Sequence, residues 1–339
     1  MSANMSRTGQ ILEPRRSGRF VEGVGFRFTR FDEPTLRVVE TIAPERELDG
    51  VKYERSIAER WIALTWPQPL HGAAAMADTV DGGIVLAAQL AARAPWDEPL
   101  ARRVEAECRL SLGLGRPWLL LPPLLLVGPP GAGKSHWGRM LARLSGCGSA
   151  ALDLGGASDN RVLEGTSRGW SSAQPCWPLT VIDATSCANP VLVVDEIDKA
   201  GGSTKNGFPQ QTLLAMFEPN TAKEYFDGCL MAPADLSQCV WVMTCNTLET
   251  IPKPLLSRVE VVEIAGPKPS HADVIIDSVL ADLAGVWDMP IEQLPALPRS
   301  TRRVLKDSLA SSGSVRLLRR QLRAALAALI SHPSQRRLS

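Results

Sequence analysis

The stretch that most constrains this chain runs from Leu124 to Ser135. Four apolar residues, Leu124-Leu125-Leu126-Val127, lead into Gly128-Pro129-Pro130-Gly131-Ala132-Gly133-Lys134-Ser135. The apolar run reads as a buried strand and His136 to Leu144 as a helix, so the G-x-x-x-x-G-K-[ST] pattern between them falls on a strand-to-helix turn. Glycines let a backbone turn its N–H groups inward, and a helix N-terminus adds unpaired donors and a favourable dipole. Such a turn is suited to wrapping phosphate groups. Lys134 then reaches the β- and γ-phosphates of a nucleotide, and the Ser135 hydroxyl addresses Mg²⁺. ATP and Mg²⁺ are the expected ligands, held by Gly128, Pro129, Pro130, Gly131, Ala132, Gly133, Lys134, Ser135 and His136.

Downstream, short Leu- and Val-rich runs alternate with helical stretches. Val191–Val194 and Val240–Thr244 join Leu124–Val127 as expected buried parallel strands covered on both faces, with Val259–Ile264 a further candidate. The strand at Val191 ends in Asp195-Glu196. A carboxylate at such a tip holds Mg²⁺ through water, the reading for Asp195. Glu196 then faces the γ-phosphate, where a general base must lie within hydrogen-bond reach of the attacking water. Asn246, at the polar tip after Val240–Thr244, could orient the same water or be a turn residue.

Around this core the chain divides into four parts. Residues 1–18 read as a disordered tail, and 19–110 as an N-terminal region of mixed structure. That region has an alternating strand or small hairpin at Phe20–Phe28 and helices over Glu54–Leu64, Thr79–Ala94 and Pro99–Leu112. Residues 111–267 carry the α/β pattern. Residues 268–339 turn all helical: Ser270 is a candidate N-cap for a helix through Leu283, Ser300–Ser311 forms another, and Ser314 caps the last. That last helix aligns Val315, Leu318, Leu322, Leu326 and Leu329 on one face.

A net charge of +1 supplies no overall field toward nucleic acid or membrane, so nucleic acid is not an expected partner. The most apolar run, Trp118 to Val127, is far short of the ~20 residues a membrane span needs and is interrupted by Pro122 and Pro123. The seven cysteines show no CxxC pair and read as buried reduced thiols. A cytoplasmic protein is expected, since no signal peptide opens the chain.

These residues resemble the AAA+ ATPases and, more narrowly, the ATPase module of the Lon proteases. The likeness rests on Gly128–Ser135, Leu154-Gly155-Gly156, Asn189–Lys199, Asp235-Leu236-Ser237, Thr244-Cys245-Asn246, Ile251–Val261 and Val315-Arg316, and spans about 122 to 330. It implies a P-loop NTPase fold: a parallel sheet sandwiched by helices, a small all-helical lid, and a smaller mixed N-terminal region. It implies that Asn246 is the sensor-1 residue, Arg258 an arginine finger reaching a neighbouring subunit's ATP, and Arg316 the sensor-2 arginine of the lid. It also implies a homo-oligomeric ring, a hexamer, acting on a protein partner, with Trp170 as the aromatic pore-loop residue.

The pattern departs from the family in three places. A Lon peptidase domain with its Ser–Lys pair needs far more residues than follow the last candidate helix near Ile330, so no proteolysis by this chain is expected. The N-terminal third lacks the match. Trp177-Pro178 falls where a helix should follow the pore loop, which places that helix's start there. Competing readings are a nucleotide-gated binding module and a DNA-acting AAA+ protein.

Overall fold

The computed structural model describes residues 34–43, 56–157, 159–203, 207–312 and 314–331, all within one compact unit. The expected tail at 1–18, the strand or small hairpin at Phe20–Phe28 and Glu54 lie outside them.

Five parallel strands form the central sheet, in the spatial order Ser149–Asp153, Val191–Asp195, Val240–Cys245, Leu124–Val127 and Glu260–Glu263. The three Val- and Leu-rich runs expected as strands are the three inner ones. Alternation along them feeds two cores. Leu125, Leu192, Val194, Trp241 and Met243 point to one face, and Leu124, Leu126, Val191, Val193, Val240 and Val242 to the other. Burial on both faces is why these segments read as continuous apolar runs rather than alternating ones. Ser149–Asp153 was not anticipated. It is a half-exposed edge strand of small and polar residues with no apolar run to mark it.

Register places the functional ends together. Val127 pairs with Cys245, Val194 with Met243, and Asp153 with Asp195. Gly128, Asp195 and Asn246 therefore emerge at one edge, the carboxyl end of the sheet, where ligands of open α/β folds bind. The helix Lys134–Ser145 lies against the sheet at Gly138, where an added Cβ would sit 3.1 Å from Val193 and 3.2 Å from Val242.

The described N-terminal residues share these cores. Val38, Val39, Ile57, Trp61 and Leu64 join one face. The helices Val85–Arg93 and Glu98–Gly113 bring Leu86, Leu90, Leu100 and Val104 to the other. The helix expected from Thr79 begins only at Val85, because Thr79 Oγ1 accepts the Gly83 N–H and folds Thr79–Gly83 into a turn. The expected helix ending at Leu64 is two short pieces, an α-turn Ile57–Arg60 capped by Ser56 and a 3₁₀ turn Ile62–Thr65. Pro67–Pro69 continues as a strand against Thr35–Arg37.

Beyond the sheet, helices Ala272–Val286, Arg299–Ser312 and Val315–Ser331 enclose a separate core of Ile276, Leu283, Leu305, Leu309, Leu318, Leu322 and Leu326. Ser314 caps the last through the Leu317 N–H. Ser270 does not cap the first. It lies inside a 3₁₀ turn, Pro269–His271, and the Lys268 N–H donates instead to His271 Nδ1 at 3.1 Å. Helix Trp177–Thr185 starts at the expected tryptophan, with Pro178 in its first turn. All seven cysteines are buried and unbridged.

Candidate nucleotide site

The phosphate loop has the backbone its sequence requires. Gly131 and Gly133 adopt φ of +84° and +95°, where a side chain would be strained, and Gly133 directly precedes the helix that begins at Lys134. A Cβ on Gly128 would overlap the Ile264 carbonyl oxygen, so the loop can pass the neighbouring strand only with glycine there. Lys134 is buried. Its Nζ donates to Gly128 O at 2.6 Å, Pro129 O at 3.0 Å and Asn246 Oδ1 at 3.0 Å. Burial pulls the ammonium pKa below the ordinary lysine value, opposed by Cys245 and by the carboxylates Asp198, Asp195 and Glu196.

Opposite the loop, Thr244 ties the acidic tip together. Its hydroxyl donates to Asp195 Oδ1 at 3.1 Å and accepts the Glu196 N–H at 3.1 Å. The second oxygen of Asp195 pairs with Arg139 at 3.3 Å. Glu196 adopts φ +57° and ψ +43°, a left-handed conformation uncommon for a side-chain-bearing residue and often found at functional sites. Its carboxylate pairs with Lys199 at 2.7 Å. A Cβ on Gly155 would overlap Glu196 Oε2, so the glycine leaves the space this carboxylate fills. Asn246 is fixed from both sides: its N–H donates to Asp198 Oδ2 at 3.0 Å and its side-chain oxygen accepts from Lys134.

The helical subdomain forms the other wall of a cleft of about 240 Å³ that includes Gly131, Gly133, His136, Arg316, Arg319 and Trp96. His136 Nδ1 lies 3.4 Å from Asp282 Oδ2, and Arg143 donates to Asp282 Oδ1 at 2.9 Å, so one carboxylate of Ala272–Val286 joins the phosphate-loop helix to the subdomain. Burial holds the imidazole pKa below its ordinary value, against the opposing pull of Asp282. Trp96 is a residue that sequence reasoning missed. It reaches the cleft from the N-terminal region, its ring 5.3 Å from that of His271. Nothing in a lone Pro95-Trp96 pair signals that contact.

Two expected site residues, Arg258 and Trp170, make none of these contacts. Arg258 pairs with Glu218 at 2.6 Å and donates to Pro254 O at 3.1 Å. Trp170, 64% exposed, sits in a loop closed by two hydrogen bonds between Thr166 and Gln174. Within that loop Arg168 donates to the carbonyls of Ala43, Cys229 and Leu230. The buried Asp227 carboxylate accepts the N–H groups of Cys176, Cys229 and Leu230.

The five sheet strands, the phosphate loop and the acidic tip all fall within one family match. The model of the ATPase family associated with various cellular activities (AAA) matches residues 124–266. Residues 124–266 are an AAA ATPase domain. The Lon protease of Nitrosococcus oceani is 41% identical over 145 residues, 43% of this chain and 19% of that protein. Lon protease 2 of Hydrogenovibrio crunogenus is 30% identical over 295 residues, 86% of this chain and 32% of that one. A match that long reaches into the N-terminal third, farther than the motifs alone placed the likeness. The chain thus spans less than a third of the length of these relatives. A closed-state cryo-EM reconstruction of Hsp104 with ATPγS and FITC casein shares the fold, with a TM-score of 0.56 at 17% identity over 74% of this chain and 48% of that one. Among the described residues, no helix is long and apolar enough to cross a membrane.

Proposed function

We propose that this AAA protein is a motor that hydrolyses ATP as a homo-oligomeric ring, a hexamer, and uses the cycle to remodel or unfold a protein partner in the cytoplasm. The observation that carries the reading is the convergence of Lys134, Asp195, Glu196 and Asn246 at the aligned strand ends, with Arg258 paired elsewhere, to Glu218. The residues fit ATP and Mg²⁺. The positive-φ glycines open the loop, and the oxygens of Ser135 and Asp195 suit a hard cation. When bound, Mg²⁺ neutralises charge on the β- and γ-phosphates.

Each side chain then has a task. Lys134 exchanges carbonyl partners for phosphate oxygens. Glu196 accepts a proton from the attacking water at its carboxylate, and Asn246, held by Asp198, orients that water. Arg316 approaches the phosphates from the lid side of the cleft and Trp96 borders its apolar part. Arg258 releases Glu218 and enters the neighbouring subunit's site, where a trans arginine adds about 10³-fold or more to the rate. Trp170, large, aromatic and exposed on a braced loop, contacts the moving polypeptide.

Mixing two inactive variants tests the shared site. Arg258→Ala and Glu196→Gln should each bind ATP and each lose turnover. Mixed rings should regain a measurable fraction, because a Glu196→Gln subunit lends its arginine to an Arg258→Ala neighbour. Full turnover by Arg258→Ala alone, or none in the mixture, would refute the trans assignment. Nucleotide-dependent assembly of the native chain without turnover would point to a nucleotide-gated binding module.

A further inference from the structure

Asp195 has both carboxylate oxygens engaged: Oδ1 accepts from Thr244 and Oδ2 pairs with Arg139. Arg139 lies on the phosphate-loop helix, four residues after Ser135, so the two share one helix face, a turn apart. The guanidinium therefore approaches the same carboxylate that, with Ser135, supplies oxygens for a cation. Arg139 also lines the cleft beside the loop, together with Arg316 and Arg319. Its side chain is 59% exposed whereas that of Asp195 is 15% exposed, so the arginine is the partner free to move.

We propose that Arg139 is an exchangeable counter-ion: it neutralises Asp195 in competition with Mg²⁺, and when displaced it turns to the nucleotide's phosphates. This rests on the ATP·Mg²⁺ reading of the site and extends it to a residue outside the loop motif. Two consequences oppose each other. With Arg139 present, Mg²⁺ must displace a cation, so more Mg²⁺ is needed. With Mg²⁺ absent, Arg139 screens Asp195 from the phosphates, so metal-free nucleotide binds better than it otherwise would. Exposed ion pairs are weak, so each effect should be about two- to fivefold.

The test is a Mg²⁺ titration of fluorescent ATPγS binding to the full chain, with a parallel measurement in EDTA. In Arg139→Gln, half-saturating Mg²⁺ should fall about two- to fivefold while affinity in EDTA weakens by a similar factor. Arg139→Lys keeps the charge and should return both values toward the native ones, which loss of packing alone would not produce. A Mg²⁺ midpoint that stays or rises in Arg139→Gln overturns the exchange, as does a Lys variant that behaves like Gln. If the native chain shows no Mg²⁺-dependent nucleotide binding, or Lys134→Ala binds as well as the native chain, the ATP reading falls and the exchange with it. Normal Mg²⁺ dependence with an unmoved Gln variant removes the exchange alone.

Discussion

Gly155→Ala separates catalysis from folding at this site. Gly155 has ordinary negative-φ backbone, so alanine fits the main chain without strain. The new methyl would sit 3.0 Å from Asp153 Oδ1 and overlap Glu196 Oε2, well inside the 3.4 Å at which ordinary contact begins. The overlapped atom is the end of a flexible side chain, so Glu196 yields before the backbone does. Its carboxylate must retreat by about 1 Å, a displacement that can cost about 10²-fold in rate. The pair with Lys199 is at the surface and adds little resistance, ~0–1 kcal/mol. The expected result is turnover reduced about 10- to 100-fold, with ATP affinity within about twofold and stability within ~1 kcal/mol of the native chain. Steady-state ATPase kinetics, nucleotide titration and urea denaturation measure the three quantities. Native turnover would refute the placement of Glu196 as the base, and a stability loss of several kcal/mol would show that the backbone, not the carboxylate, had yielded.

Thr244→Val should leave the half-buried Glu196 N–H without its acceptor and Asp195 Oδ1 without its donor, lowering stability by about 1–3 kcal/mol together with turnover; urea melts and ATPase rates check both. Burial raises the Asp97 carboxyl pKa to about 6, against a lowering hydrogen bond from Trp96. The folded state therefore holds this proton more tightly than the unfolded chain, and the resulting stability, present below about pH 4, is lost as pH rises through about 6. Asp97→Asn should accordingly stabilise the fold by about 1–3 kcal/mol at pH 8 and have little effect at pH 4, as read from denaturation at the two pH values. Trp170→Ala should abolish any rise in ATPase rate produced by an unfolded polypeptide; undiminished stimulation would exclude Trp170 as the gripping residue.

The parts of the site legible in the sequence are those whose chemistry is local. Gly128–Ser135 is contiguous, and Asp195-Glu196 and Asn246 mark themselves as polar tips on apolar strands. Their convergence follows from parallel pairing with short offsets, which the apolar runs also announce. The lid helices were readable because Leu318, Leu322 and Leu326 repeat on one face. What escaped depends on contacts between distant segments. Trp96 meets His271, and His136 meets Asp282, across more than a hundred residues of chain. Gly155 was visible as part of a family-like stretch, but its reason, space for the Glu196 carboxylate, exists only in three dimensions. Asp227 lies in none of the motifs, yet it is buried and accepts three backbone N–H groups, those of Cys176, Cys229 and Leu230. Ser149–Asp153 lacked an apolar signature because an edge strand buries too little to need one.

The most direct measurement compares ATP binding and ATP turnover in the native chain and in Glu196→Gln. The native chain should hydrolyse ATP in a Mg²⁺-dependent manner. The variant should retain ATP affinity within about twofold and lose turnover by about 10²-fold or more, since the amide keeps the carboxylate's shape but cannot accept the water's proton. Equal turnover in the two proteins would contradict the assignment of Glu196, and a native chain that binds ATP without hydrolysing it would contradict the motor itself.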